Sequence, residues 1–115
     1  MSTSLYRVEN GNLFIADRAI DLPHPVIEVI ECGEMIVVRV DPPAGTIFNR
    51  NVFAFTKHGE LLWQIEESPH GTEKDKPYVA ILRAQDGNLI AANWIGIDYL
   101  VNLANGNIAA KAFNK

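Results

Sequence analysis

The sequence predicts an all-β fold, in which about ten strands form an antiparallel meander that closes as a sandwich or a partly open barrel. Glycine followed by Asn or Glu and then by Leu, Met or Ile occurs five times, at Gly11, Gly33, Gly59, Gly87 and Gly106. A short apolar run stands on either side of each copy. Glycine reaches the positive φ that tight turns require, so the five copies predict five β-hairpins. No segment predicts a helix.

The hairpins pair residues 5–9 with 12–16, 26–31 with 34–40, 52–56 with 60–66, 78–83 with 88–93, and 97–103 with 107–113. The first turn is Asn10-Gly11, the dipeptide that most favours a two-residue turn. Residues 17–25 are a connector, because their two prolines cannot donate to a ladder. Residues 35–38 are apolar throughout. They predict a central strand that is covered on both faces.

The third hairpin shows the clearest alternation, since Leu61, Trp63 and Ile65 are separated by one residue each, as in a half-buried strand. Residues 41–45 and 67–77 are long loops, and Gly96 predicts a bend between the last two hairpins. The predicted core comprises Leu13, Ile15, Val29, Ile36, Val38, Phe53, Phe55, Leu61, Trp63, Ile81, Leu89, Leu100 and Val101.

Length and composition indicate one domain over residues 1–115. The net charge of −4 disfavours binding to nucleic acid. A single cysteine, Cys32, cannot form a disulfide within the chain and is typical of a reducing compartment. No apolar run reaches the length of a membrane span, and the first residues do not read as a secretory signal. We therefore expect a cytoplasmic protein that binds no membrane.

The negative charge is concentrated in the first part of the chain, where residues 1–67 hold ten acidic and five basic side chains. The candidate acidic face consists of Glu28, Glu31, Glu34, Glu66 and Glu67. Complementary charge speeds association and selects partners, so these glutamates predict binding to a basic protein surface. The alternative is a solvated face or a charged edge strand that prevents aggregation.

The residue types that carry catalysis do not form a recognisable motif. The three histidines lack metal-ligand spacing, there is no second cysteine, and no serine stands in a nucleophile elbow. Trp94, Asp98 and Tyr99 form the one alternative, a pocket for hydrolysis or ligand binding near a predicted corner. We expect no enzymatic activity, no cofactor and no metal.

Residues 52–63, Val-Phe-Ala-Phe-Thr-Lys-His-Gly-Glu-Leu-Leu-Trp, resemble the blade motif of quinoprotein-type β-propeller repeats, and residues 100–108 resemble a second copy. The resemblance implies hairpins like those of propeller blades. A blade takes four strands and at least about four blades are usual, so ten strands cannot close a propeller. The central cofactor site of that family is therefore not carried over.

Residues 63–113 are similar to small bacterial all-β proteins, some of which are regarded as toxin-neutralising immunity proteins. This resemblance implies a protein partner, and the acidic residues imply a basic one. The sequence thus predicts a non-enzymatic protein-binding module. Two alternatives remain open: the pocket at Trp94, Asp98 and Tyr99, and a structural homodimer formed through an exposed edge strand.

Overall fold

The computed structural model describes residues 6–69 and 74–110, and this part of the chain contains eleven strands and no helix. The strands are β1 (Tyr6–Glu9), β2 (Asn12–Ile15), β3 (Arg18–Ile20), β4 (Val26–Cys32), β5 (Met35–Val40), β6 (Val52–Thr56), β7 (Leu61–Gln64), β8 (Tyr78–Arg83), β9 (Leu89–Asn93), β10 (Asp98–Val101) and β11 (Ile108–Ala110). The predicted all-β class is confirmed. Residues 111–113 of the last predicted strand lie outside the described residues.

The strands form three antiparallel sheets, each of them a meander in chain order. The first sheet is β1–β2–β3, the central sheet is β4–β5–β6–β7, and the C-terminal sheet is β8–β9–β10–β11. The first strands of the last two sheets, β4 and β8, lie alongside each other. The arrangement is a layered sandwich rather than a barrel, which confirms one of the two predicted forms of closure.

All five predicted hairpins are present, and the glycine of each turn has a positive φ. In the first turn both Asn10 and Gly11 have positive φ, at 54° and 80°, as a type I′ turn requires. The prediction that residues 17–25 are only a connector is wrong, because it contains β3. Ala16 and Asp17 make the turn into β3 with φ of 50° and 64°, so this turn lacks the glycine signal.

The central sheet is apolar on both faces, and each face belongs to a different core. Ile36, Val38 and Val40 of β5 join the core shared with the first sheet. Val37, the residue between the first two, joins the core shared with the C-terminal sheet, together with Trp63. Strand residues alternate between faces, so a strand buried on both sides is apolar throughout. The predicted central strand is thereby confirmed.

The predicted core is largely correct, with two errors and one residue that is only partly buried. Leu61 and Leu100 are 58% and 38% exposed. Leu100 is the neighbour of the buried Val101, so the two side chains point to opposite faces of β10. A shift of register between β6 and β7 falls between Leu61 and Trp63, so the two side chains do not share a face and only Trp63 lies in the core. Val29 is partly buried against the core between the first and central sheets.

Two polar side chains connect the central sheet to β8. Asn51 is buried, and its amide nitrogen donates to the carbonyls of Tyr78 (2.9 Å) and Val40 (3.2 Å), while its oxygen accepts from the Tyr78 amide (2.9 Å). The Asn51 side chain thus makes the two hydrogen bonds to the Tyr78 backbone that a neighbouring strand would otherwise make. The Glu28 carboxylate accepts from Arg39 Nε at 2.7 Å and from the Ile81 amide at 3.2 Å. Both side chains fix where the C-terminal sheet begins.

Candidate interaction surface

The outer face of the C-terminal sheet carries a continuous row of apolar side chains. The register places Leu82 opposite Ile90, Ile90 opposite Leu100, and Leu100 opposite Ala109, so one residue from each strand contributes. Their neighbours Ile81, Ala91 and Val101 belong to the core between the central and C-terminal sheets, which we call the inner core. Because side chains alternate along a strand, the row points away from this core. Leu82 and Leu100 are 45% and 38% exposed, and Ile90 lies almost covered between them.

A second row extends the same face by Ala80, Ala92 and Asp98, which are paired with one another across β8, β9 and β10. We refer to the two rows together as the C-terminal face, which consists of Ala80, Leu82, Ile90, Ala92, Asp98, Leu100 and Ala109. Asp98 is the one charged side chain of this set. A shallow depression of about 240 Å³ lies at the β10–β11 end of the face, beside Leu100 and Ala109.

The composition of β9 is that of a covered strand. Leu89 and Ala91 are buried against the central sheet, and Ile90 between them is equally apolar but points outward. In β5, which has a sheet on either side, Ile36, Val37 and Val38 show the same uninterrupted pattern. A strand with this pattern normally has apolar cover on both faces. Here Leu82 and Leu100 remain partly exposed on either side of Ile90, and exposed apolar side chains grouped on one face can mark an interaction site.

The opposite end of the stack has the reverse character. On the outer face of the first sheet, Arg7 forms ion pairs with Glu9 at 2.8 Å and Asp17 at 3.2 Å. Its guanidinium also lies over the ring of Phe14, 4.3 Å from the ring centre. This face is charged and solvated. Among the outer faces that the structure describes, the apolar one is therefore at the C-terminal end.

The five glutamates of the predicted acidic face do not come together. Glu28, Glu31 and Glu34 lie in or just after β4, whereas Glu66 and Glu67 follow β7, the opposite edge of the same sheet. Several are also engaged in contacts. Glu28 pairs with Arg39, and Glu34 pairs with Lys57 at 3.1 Å. The carboxylates of Glu66 and Glu67 accept hydrogen bonds from the Ile108 amide and the Asn49 side chain.

The predicted pocket residues Trp94, Asp98 and Tyr99 are also separated. Asp98 belongs to the C-terminal face, whereas Tyr99, the next residue along β10, is buried in the inner core. Trp94 is 47% exposed in the turn between β9 and β10, in agreement with the corner that the sequence indicates. Asp98 is the one residue of the predicted set that lies on the candidate surface.

The interior of the C-terminal half contains hydroxyl and amide groups that bond to one another. The hydroxyls of Ser68 and Tyr99 are 2.7 Å apart, and the Asn93 amide donates to both. Tyr78 donates its hydroxyl to the carbonyl of Glu66 at 2.6 Å. Burial raises the pKa of the Tyr78 phenol, and the nearby Tyr99 and Glu66 raise it further. These hydrogen bonds stabilise the fold.

Cys32 and the acidic and histidine side chains give no further site. Burial raises the pKa of the Cys32 thiol, although Arg83 acts in the opposite direction, so the thiol is not activated as a nucleophile. Within residues 6–69 and 74–110, no three His, Cys, Asp or Glu side chains are close enough to hold a metal ion. The same residues include no helix long and apolar enough to span a membrane.

A family model described as a domain of unknown function (DUF7957) matches residues 3–113. The chain belongs to this family. The DUF7957 match includes every strand from β1 to β11 and with them the whole C-terminal face. Neither the curated proteins nor the solved structures contain a match to the chain.

The C-terminal face was not predicted from the sequence, although a signal for it was present. Leu100 was placed in the core, and Leu82, Ile90 and Ala109 were not singled out. The turn at Gly87 fixes the pairing of Leu82 with Ile90, and the bend at Gly96 fixes the pairing of Ile90 with Leu100. The turn positions therefore imply that three large apolar residues share one row.

Proposed function

We propose that this protein is a non-enzymatic protein-binding module that docks through its C-terminal face. The observation that carries the proposal is the row of Leu82, Ile90 and Leu100 on the outer side of a sheet whose inner side already packs on the core. An apolar sheet surface with one carboxylate fits a partner surface that is likewise apolar and nearly uncharged. Hydrophobic burial would supply the affinity, and Asp98 at the margin would help to select the orientation.

The proposal differs in one respect from what the acidic composition indicates. The glutamates are divided between the two edges of the central sheet, and Glu28 and Glu34 are paired with Arg39 and Lys57. They support solubility and stability better than they support one docking surface. The proposal also includes a cytoplasmic setting, because the single cysteine is a free thiol buried in the core.

The experiment is site-specific photo-cross-linking in the cell of origin. A photoreactive phenylalanine analogue is placed at Leu82 or Leu100 on the face, and at Ile27 or Ile47 as controls. The control residues are exposed apolar side chains, 53% and 56% exposed, that lie outside the face. We expect the face positions to give a cross-linked band that contains one identified protein, and the control positions to give none.

Each outcome of this experiment decides the proposal. A band that contains either a second copy or one other protein, obtained from positions 82 and 100 alone, supports docking through the face. A toxin domain, the partner that the resemblance to immunity proteins implies, would appear as such a band. Equal cross-linking from face and control positions, or none from the face, contradicts the proposal.

A further inference from the structure

We propose that Asn10 is a modification site, at which the folded chain deamidates spontaneously to aspartate and isoaspartate. The sequence contains the dipeptide Asn-Gly twice, at Asn10-Gly11 and at Asn105-Gly106. This dipeptide is prone to cyclisation, because a glycine has no side chain to obstruct attack by its amide nitrogen. Both asparagines are exposed, so exposure does not distinguish the two sites. The hydrogen bonds and the type of turn do.

The reaction consists of a cyclisation followed by a hydrolysis. The Gly11 amide nitrogen loses its proton and attacks Cγ of Asn10, a bond forms between these two atoms, and the side-chain nitrogen takes up a proton and leaves as ammonia. Water then opens the resulting succinimide ring. Breaking the bond from Cγ to nitrogen gives aspartate, and breaking the bond from the backbone carbonyl carbon to nitrogen gives isoaspartate. Water is the one co-reactant.

At the second Asn-Gly site, both reacting groups are engaged in hydrogen bonds. The Gly106 amide, which would be the attacking group, donates to the Asn102 carbonyl at 2.8 Å. The side-chain oxygen of Asn105 accepts from the Asn107 amide at 2.9 Å. Cyclisation requires that the peptide group between Asn105 and Gly106 turn and that the Asn105 side chain move, and both movements break these bonds. The fold therefore opposes deamidation of Asn105.

The first site lacks these restraints. Within the part of the chain that the structure describes, neither the Asn10 side chain nor the Gly11 amide makes a hydrogen bond. The turn is of type I′, and its central peptide group can flip to type II′ geometry while Glu9 and Asn12 stay paired. The flip carries ψ of Asn10 from about +30° to about −120°. At that angle the Gly11 nitrogen eclipses Cβ of Asn10, as the succinimide ring requires.

Isoaspartate at position 10 loosens the junction between the first hairpin and the central sheet. Gly11 lies so close to Pro25 that an added Cβ would stand 2.8 Å from the proline Cβ, and the Gly11 carbonyl accepts from the Val26 amide at 2.8 Å. Isoaspartate adds a CH₂ group to the backbone of the turn, which displaces Gly11 from both neighbours. Aspartate leaves the backbone length unchanged. The two products therefore differ at the start of β4.

The test is peptide mapping by mass spectrometry on the purified full chain, incubated at neutral and at mildly alkaline pH, with electron-transfer fragmentation to separate aspartate from isoaspartate. Conversion at Asn10 should be faster at the higher pH, because the deprotonated nitrogen attacks. Asn105 should convert at least about tenfold more slowly, because its hydrogen bonds must break first. The chain unfolded in urea is the control. The dipeptides are identical, so the two sites should then convert at similar rates.

Hydrogen exchange at the Val26 amide is the second readout. It should be at least about tenfold faster in the isoaspartate product than in the unmodified chain, because the bond to the Gly11 carbonyl is lost. Asn10→Asp reproduces the other product and should exchange like wild type. Asn10→Gly tolerates the positive φ but has no side-chain carbonyl, so its exchange should not change on incubation. Equal rates at Asn10 and Asn105 in the folded chain, faster conversion at Asn105, or equal Val26 exchange in all forms overturns the inference.

Discussion

Gly106 lies against the indole ring of Trp63, so closely that a Cβ on this glycine would stand 2.7 Å from Cε3 and 2.9 Å from Cδ2 of the ring. The two residues come from the turn before β11 and from β7, and they join the C-terminal sheet to the central one. The Gly106 carbonyl accepts from the Glu66 amide at 3.0 Å, and the Trp63 indole N–H donates to the Leu103 carbonyl at 2.8 Å. The turn is therefore held over the ring from both sides.

We predict that Gly106→Ala lowers the free energy of unfolding by about 2–4 kcal/mol, because it adds a steric clash to the cost of a non-glycine residue at positive φ. Gly87→Ala is the matched control. Gly87 has a similar φ of 89° with nothing within 4 Å of its added Cβ, and it should lose only about 1 kcal/mol. Urea denaturation measures both values. Equal losses would mean that the turn moves away from the ring without cost.

Trp63→Ala should destabilise the fold by about 3–5 kcal/mol, because it leaves a cavity between two sheets and an unpaired carbonyl at Leu103. Trp94→Ala provides the comparison within the same residue type. Trp94 is 47% exposed, and we expect its loss to change the stability by no more than about 0.5 kcal/mol. The melting temperatures of the two variants, recorded by circular dichroism, decide this. A Trp63→Ala melting temperature close to that of wild type would contradict the packing described here.

Glu28→Ala should cost about 1–3 kcal/mol, since it removes the acceptor of both Arg39 Nε and the Ile81 amide at the junction of β4 with β8. Glu34→Ala removes another ion pair close by in the chain, but Glu34 is 81% exposed and its partner Lys57 is 44% exposed. For this pair we expect a loss of about 0–0.5 kcal/mol. Chemical denaturation at moderate salt separates the two. Similar losses would place Glu28 among the ordinary surface charges.

The raised pKa of Tyr78 predicts a loss of stability in alkali. Above pH about 10 the phenol ionises in the unfolded chain but stays neutral in the fold, so protons are bound more tightly by the folded state. The contribution is complete below that pH and decreases as the pH rises above it. Tyr78→Phe should be less stable than wild type at pH 7 by about 0.5–1.5 kcal/mol, because the Glu66 carbonyl loses its donor. Its stability should nevertheless fall less steeply between pH 9.5 and 11. Parallel curves for the two proteins would show that Tyr78 titrates as it does when unfolded.

The hairpins could be predicted from the sequence because their turns depend on one residue type with an unusual φ. β3 could not, since Ala16 and Asp17 adopt the same left-handed conformation without a glycine to mark it. The division into three sheets was equally hidden. Residues 41–51 and 65–77 are both long, proline-containing connectors, yet β5 pairs with β6 across the first, whereas the second separates two sheets. Long-range packing decides between these cases, and no local pattern reports it.

The candidate surface was missed for a related reason. Hydrophobic character assigned both Leu100 and Val101 to the core, although adjacent strand residues point to opposite faces. Which of the two is buried depends on where the central sheet lies, and that is a property of the assembled fold. The acidic residues could be identified by composition, but their position relative to one another depends on strand order. Glu31 and Glu66 are thus at opposite edges of one sheet.

The contacts of Asn51 and Tyr78 bear on how the connector between β7 and β8 tolerates a change of length. The Asn51 amide holds the start of β8, and the Tyr78 hydroxyl bonds the Glu66 carbonyl, so the two ends of the connector between β7 and β8 are fastened to each other at its base. Closing a longer loop between fixed ends costs little extra entropy. We therefore expect this connector to accept inserted sequence with little loss of stability.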